Sequence, residues 1–143
     1  MKFKTVYSIF GYMFIGCFFL WLICGLGYKF LYNDKVEQSR VELTQALNAY
    51  FPREQYMITS EVYEANRRTL LSKGLAIKIR KDSLHKDIKS IKPISGNWTL
   101  VDQAKTRYVY ENESYRVYVS ENPINDGYIV VLAHNNWLEL LHL

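Results

Sequence analysis

The stretch Thr106–Ser120, TRYVYENESYRVYVS, decides the fold, because two runs of alternating apolar and polar residues flank a short polar segment. Valine and tyrosine favour strands, and successive side chains of a strand point to opposite faces. Asn112-Glu113 is the candidate turn, and a two-residue loop there places Tyr110 opposite Tyr115. The stretch therefore predicts an antiparallel hairpin.

This predicted register separates apolar from polar side chains. It places Tyr108 opposite Val117 and Thr106 opposite Val119. A shift by one residue would mix the two sets and expose apolar groups to water. One face then carries Tyr108, Tyr110, Tyr115, Val117 and Val119, and the other carries Arg107, Glu111, Arg116 and Ser120.

Further strands are predicted on both sides of the hairpin. Trp98–Val101 is strand-like, and Tyr128–Ala133 is apolar on both faces, which is typical of a central strand. We therefore predict a three- or four-stranded antiparallel meander over residues 98–133. Apolar and polar residues also alternate along Leu75–Arg80, which predicts a short half-buried strand.

A helix is predicted at Asp34–Phe51, and Pro52 ends it because the residue before a proline avoids helical angles. A weaker stripe predicts a second helix over Ser60–Lys73, and Ser83–Ile91 is ambiguous. Residues 34–92 are thus expected to be mainly helical, and residues 34–143 to form one α+β domain of two or three helices and the meander. The apolar stripe of the first helix consists of Val36, Leu43, Leu47 and Tyr50.

The uncharged apolar run Thr5–Tyr28 predicts a single transmembrane helix. At about 1.5 Å per residue it is roughly 36 Å long, which exceeds the hydrocarbon core of about 30 Å. Residues 1–4 form a short basic tail, and residues 29–33 link the anchor to the soluble domain. The residues that flank the anchor at the two headgroup zones are Lys2, Lys4, Tyr7, Tyr28 and Lys29.

Two other interpretations of this run are a cleaved signal peptide and a lipoprotein leader. The apolar core of a signal peptide has about 7–15 residues, and Val6–Cys24 is longer. Phe14–Cys17 is similar to a lipobox, but Phe18–Ile23 continues apolar where a mature lipoprotein turns polar. A retained signal-anchor is therefore favoured over both.

The charges around the anchor set the expected orientation. Lys2 and Lys4, with the amino terminus, precede it, whereas Lys29, Lys35 and Arg40 follow it. Positive residues favour the cytoplasmic side, and this count is close to balanced. We expect the short tail to stay in the cytoplasm and the soluble domain to lie on the non-cytoplasmic side.

Composition excludes several functions. The net charge of +4 comes mainly from three lysines around the anchor, so the soluble part is nearly neutral and nucleic acid is not an expected partner. Both cysteines, Cys17 and Cys24, lie in the anchor, which excludes disulfides and cysteine-ligated zinc in the domain. His85, His134 and His142 lie in separate segments, so we expect no metal site.

The soluble part also lacks catalytic motifs. No serine lies in a GxSxG elbow, and no glycine-rich phosphate loop is present, so we expect neither enzymatic activity nor a cofactor. The basic residues concentrate in Arg67–Lys92, where only Asp82 and Asp87 are acidic. This stretch can contact anionic lipid headgroups or acidic partners, and a solvated charge-rich surface is the simpler interpretation.

We expect the chain to be a single-pass membrane-anchored interaction or accessory protein. Its partners are membrane lipid and another protein. The tail 134–143 is apolar for a chain end and either packs on the domain or docks on a partner. The candidate interaction residues are Arg107, Arg116 and Tyr118 on the polar sheet face, and Trp137, Leu140 and Leu141 in the tail.

Two alternatives remain open. An apolar helix that continues into an amphipathic one before an antiparallel sheet resembles the pilins, which implies a structural subunit. Pilins carry a glutamate shortly after the glycine at which they are cut, whereas Gly11 and Gly16 are followed by no acid before Asp34. The other alternative is a small ligand sensor or enzyme with its site on the sheet face.

Alkaline carbonate extraction tests the anchor. We expect the full-length chain to stay in the membrane pellet, because a spanning apolar helix is held by lipid rather than by charge. Mass spectrometry should find Met1–Lys4 intact, which excludes signal cleavage and prepilin processing. Release of the intact chain, or a mature terminus near residue 28, contradicts a retained anchor.

Overall fold

The protein is described here by a computed structural model, which covers residues 2–31, 33–65 and 74–136. It divides into two compact units, Met1–Glu37 and Gln38–Leu143. The first unit is helical, and the second combines helix with a six-stranded antiparallel sheet. The predicted α+β class is thereby confirmed.

Helix α1 spans Lys2–Leu31 and makes up most of the first unit. Within it, Ile9–Gly27 is long and apolar enough to cross a membrane. Large apolar side chains are exposed along it, and Phe14 is 76 % exposed. Each Å² of such surface costs about 25 cal/mol in water, so an apolar environment favours this helix. The predicted N-terminal apolar helix is confirmed as a candidate membrane span.

Helix α2, Asn33–Tyr50, confirms the predicted amphipathic helix and ends before Pro52. Leu43 and Leu47 are one turn apart and are 2 % and 0 % exposed. Tyr50 is half-buried, and its ring packs edge-on against Trp98, 5.0 Å away between ring centroids. The remaining residue of the predicted stripe, Val36, lies outside the described side chains.

The second unit contains one sheet with the strand order β1-β2-β6-β5-β4-β3. Every neighbouring pair is antiparallel. The four C-terminal strands confirm the predicted meander, and β6 is central as predicted. The strands are β1 Tyr63–Glu64, β2 Leu75–Arg80, β3 Thr99–Ala104, β4 Arg107–Glu111, β5 Tyr115–Asn122 and β6 Gly127–His134.

The sheet has six strands rather than the predicted three or four, because β1 and β2 join the meander through β6. Strand β2 is buried more fully than predicted, since Ala76 is as inaccessible as the core residue Ile77. Gly74 precedes β2, and a side chain there would meet the Cγ1 of Val131 at 2.8 Å. A side chain at this position would therefore displace the Val131 methyl group.

The core lies between α2 and one face of the sheet, which we call the inner face. Phe51, just after α2, and Leu47 are fully buried there. The segment between β2 and β3 adds Ile88 and Ile91 to the same cluster. The inner face contributes Ile77, Ile79, Val117, Val119, Tyr128, Val130 and Leu132.

The predicted second helix, Ser60–Lys73, is wrong over its described part, and residues 66–73 lie outside the described residues. Strand β1 lies within it, because Val62 and Tyr63 are residue types that favour strands and the edge of β2 is available for pairing. The hydroxyl oxygen of Ser60 accepts a hydrogen bond from the backbone N–H of Lys78 at 2.9 Å instead of capping a helix.

The prediction that residues 34–92 are mainly helical is therefore wrong beyond Tyr50. Among the described residues that follow, the helical element is a short 3-10 turn, Ile88–Ser90. It lies in the stretch that the sequence left ambiguous. The Asp87 carboxylate caps this turn by accepting a hydrogen bond from the backbone N–H of Lys89 at 3.3 Å.

The predicted register of the hairpin is wrong by two residues. Tyr110 lies opposite Val117 rather than Tyr115. The backbone N–H of Asn112 donates to the carbonyl of Tyr115 at 3.0 Å, so the two turn residues are Glu113-Ser114 rather than Asn112-Glu113. The side chain of Asn112 supports this turn by accepting hydrogen bonds from the backbone N–H groups of Ser114 and Tyr115. Because the shift is even, every side chain keeps its predicted face.

Truncation of Leu132 tests the inner-face core. Leu132 is fully buried, so Leu132→Ala should lower the free energy of unfolding by about 2–5 kcal/mol. Leu84 is 80 % exposed, and Leu84→Ala should change it by less than about 0.5 kcal/mol. Urea unfolding of the full-length protein in detergent, followed by tryptophan fluorescence, measures both. Equal destabilisation by the two variants would contradict this core.

Candidate functional site

The predicted polar residues lie on the face of the sheet that points away from α2, which we call the outer face. Tyr118 pairs there with Val109 on one side and Val131 on the other. Paired residues share a face, and residues two apart on a strand do as well. Arg116 and Arg107 therefore lie in the rows on either side of Tyr118.

Arg107 and Arg116 are both paired with carboxylates. Arg107 donates to the Oδ2 of Asp102 at 2.5 Å, and Arg116 donates to Glu111. The hydrogen bond from Arg116 holds the pKa of the Glu111 carboxyl below its ordinary value. Each guanidinium therefore already has an acid partner, so an anion that binds there competes with a carboxylate.

Other predicted residues fall where the structure gives no side-chain contacts. Trp137, Leu140 and Leu141 lie outside the described residues, so docking of the apolar tail stays a prediction. The anchor flanks belong to α1, and their side chains are likewise outside the described part. These flanks are Lys2, Lys4, Tyr7, Tyr28 and Lys29.

Strand β3 forms one edge of the sheet and exposes all six of its residues. Leu100 and Val101 are 44 % and 49 % exposed, which is unusual for adjacent apolar residues of a strand. Pairing with β4 uses one side of β3, and the backbone groups on its other side face outward. An edge of this kind can pair with a strand of another chain.

A shallow depression of about 540 Å³ lies beside the end of β3. Lys89 and Lys105 line it against the single carboxylate of Asp87, which leaves it with a net positive charge. Extended segments that pair with a sheet edge commonly place alternate side chains in neighbouring pockets. Its other lining residues are Ile88, Gln103, Ala104 and Tyr108.

A serine–histidine pair joins α2 to the end of β6. The hydroxyl of Ser39 lies 2.8 Å from the Nε2 of His134, whose ring stacks on Tyr115 at 5.5 Å between centroids. Burial lowers the pKa of His134, and the charge of Glu42 opposes this to a smaller extent. The histidine is therefore neutral in the folded protein at neutral pH.

Sequence reasoning missed the Ser39–His134 pair because 95 residues separate its members, and no local spacing marks it. A serine nucleophile also needs a third group that orients the base, and an oxyanion site. Among the described residues no carboxylate hydrogen-bonds the ring of His134. We therefore regard the pair as a contact that holds the helix on the sheet.

The fold and these surfaces define a small α+β domain that follows a candidate membrane span. The described residues contain no group of three or more histidine, cysteine, aspartate or glutamate side chains placed to hold a metal. Comparison of the chain with known protein families, curated proteins and solved structures finds no match. Function is therefore argued from the surfaces alone.

The lowered pKa of His134 predicts a pH-dependent stability. The unfolded chain has the ordinary histidine pKa of about 6.5, so it binds a proton more readily than the folded state. The free energy of unfolding should thus fall as the pH drops from about 7.5 to about 5.5.

His134→Asn should flatten this slope, whereas Ser39→Ala should keep it because the buried histidine remains. Urea unfolding of the full-length variants in detergent at a series of pH values measures the slopes. The same slope for His134→Asn and the parent protein would assign the pH dependence to other groups.

Proposed function

We propose that this chain is a single-pass membrane protein whose domain binds another protein through the edge strand β3. It has an interaction or accessory role rather than a catalytic one. The observation that carries the proposal is that every residue of β3 is exposed, Leu100 and Val101 among them, on an edge with which no other described strand pairs. The anchor tethers the domain to the membrane, where the partner is also held or recruited.

The candidate span supports the membrane part of the proposal. Ile9–Gly27 has the length and composition of a transmembrane helix, and none of it is buried against protein. One such helix near the N-terminus is also what a signal sequence provides, so retention rests on the length of the apolar run. A retained helix of this kind is a signal-anchor.

The soluble domain is proposed to lie on the non-cytoplasmic side. The short tail concentrates its positive charges, which are Lys2, Lys4 and the amino terminus, more closely than the segment after the anchor does. This concentration favours retention of the tail in the cytoplasm. A reporter enzyme that is active only outside the cytoplasm, fused after Leu143, tests this. Activity of that fusion supports the orientation, and inactivity reverses it without changing the role of β3.

The irregular pairing of β3 supports a selective partner over general aggregation. The register between β3 and β4 shifts between Leu100 and Asp102, as at a β-bulge. Bulges twist an edge and interrupt long continuous pairing, which protects native sheets from indiscriminate association. A partner segment therefore has to match a short, shaped edge rather than any exposed strand.

The surroundings of β3 indicate the chemistry of the partner. Backbone hydrogen bonds provide affinity in strand addition, and side chains in adjacent pockets provide specificity. Lys89 and Lys105 beside the strand favour an acidic side chain in the partner, and Leu100 and Val101 favour apolar neighbours. We expect an extended segment that combines apolar residues with an aspartate or glutamate.

Copurification with edge-strand variants tests the proposal. Tagged full-length protein, cross-linked in membranes and gently solubilised, should recover a stoichiometric partner. Leu100→Glu with Val101→Glu should reduce this recovery at least about tenfold, which corresponds to about 1.4 kcal/mol. Leu84→Glu with Ile124→Glu adds the same charges at other exposed apolar positions and should have little effect.

Three outcomes contradict the proposal. Recovery of the protein alone removes the partner. Recovery of further copies of this chain indicates self-association instead. Equal loss with both pairs of substitutions shows that added charge, rather than the β3 edge, causes the effect.

A further inference from the structure

A polar cavity of about 370 Å³ lies at the opposite side of the sheet from β3. It forms where β2 meets the residues just before β1 and the hairpin that joins β5 to β6. Gly127 and Ile79 complete its lining. The polar side chains around it are Thr59, Ser60, Lys78, Arg80, Asn122 and Asn125.

The cavity holds two positive charges and no negative one. Lys78 and Arg80 are two residues apart on β2, so they share the outer face. No carboxylate lines the cavity, and no described carboxylate lies within ion-pair distance of either side chain. Arg107 and Arg116, by contrast, are each paired with an acid.

Lys78 is held in place by its neighbours rather than by an acid. Its Nζ lies 5.7 Å from the centroid of the Tyr63 ring, within the range of a cation–π interaction. This contact leaves the hydrogen-bond donors of the ammonium group available. Arg80 is exposed, and its guanidinium can contact an anion through two parallel hydrogen bonds.

Neutral donors accompany the two cations. Asn122 is only 7 % exposed, and its Oδ1 accepts a hydrogen bond from the backbone N–H of Ile124 at 3.2 Å. Its amide NH₂ is the donor group of the same side chain. The Ser60 oxygen accepts from the backbone of Lys78, so its hydroxyl hydrogen is free to donate.

We propose that this cavity binds the phosphate group of a small phosphate monoester. Lysine, arginine, a serine hydroxyl and asparagine amides are the donors that recognise such oxyanions. A phosphate monoester has three terminal oxygens, which match this number of donors better than the two oxygens of a carboxylate. The ligand is either a lipid headgroup or a soluble metabolite, since both carry the same group.

The site is independent of the edge strand β3 and adds a ligand to the proposed interaction role. It also differs from Arg107 and Arg116, which the sequence indicated as the first place to look for a ligand site. The cations that form it belong to the basic stretch Arg67–Lys92.

Binding of glycerol 3-phosphate by the full-length protein tests the site. The protein is reconstituted into phosphatidylcholine nanodiscs, and calorimetry at fixed ionic strength measures the affinity. We expect saturable binding that Lys78→Gln with Arg80→Gln weakens at least about tenfold. Lys86→Gln with Lys92→Gln removes the same charge at exposed positions outside the cavity and should weaken it less than about twofold.

Urea unfolding midpoints confirm that both double variants are folded. A Ser60→Ala variant, which keeps both charges, should weaken binding several-fold. Absence of saturable binding, or equal weakening by the two pairs of substitutions, overturns the proposal.

Where saturable binding is found, a second titration in nanodiscs with added phosphatidic acid identifies the source of the ligand. Competition with glycerol 3-phosphate indicates a lipid headgroup, and unchanged affinity indicates a soluble ligand.

Discussion

The second unit depends on the contact between one stripe of α2 and the inner face of the sheet. Leu43, Leu47 and Phe51 cover apolar side chains that an antiparallel sheet alone would expose on that side. A sheet needs such a cover to be stable in water. Because burial is concentrated on the inner face, the outer face and the strand ends are free to carry charges. The paired arginines lie on the outer face, and the polar cavity lies at the strand ends.

The alternation of side chains explains how much of the fold could be predicted. The faces of Tyr108, Val117 and Val119 follow from their positions along each strand, and all three are buried. The register does not follow, because a shift by two residues preserves every face. Only the hydrogen bonds of Asn112 within its turn distinguish the two pairings, and the apolar pattern carries no information about them.

Contacts between distant parts of the chain explain what could not be predicted. Strand β1 forms because the edge of β2 is available, and nothing in the local sequence of Ser60–Lys73 marks that edge. Ser39 and His134 meet for the same reason, through the docking of α2 on the sheet. The polar face was predicted, but the pairing of Arg107 and Arg116 with acids was not. Lys78 and Arg80, for which the described residues provide no acid partner, lie on that same face through the alternation of β2.

The two edges of the sheet are unequal, which bears on the stoichiometry of the proposed strand addition. Strand β3 offers six residues at one edge, whereas β1 at the other has two. Within the described part of the chain, a segment added to β3 finds no second edge of similar length from which the ribbon could grow. Open fibres require two complementary ends that repeat. The strand addition proposed above is therefore expected to end after one step, with one partner segment on each domain.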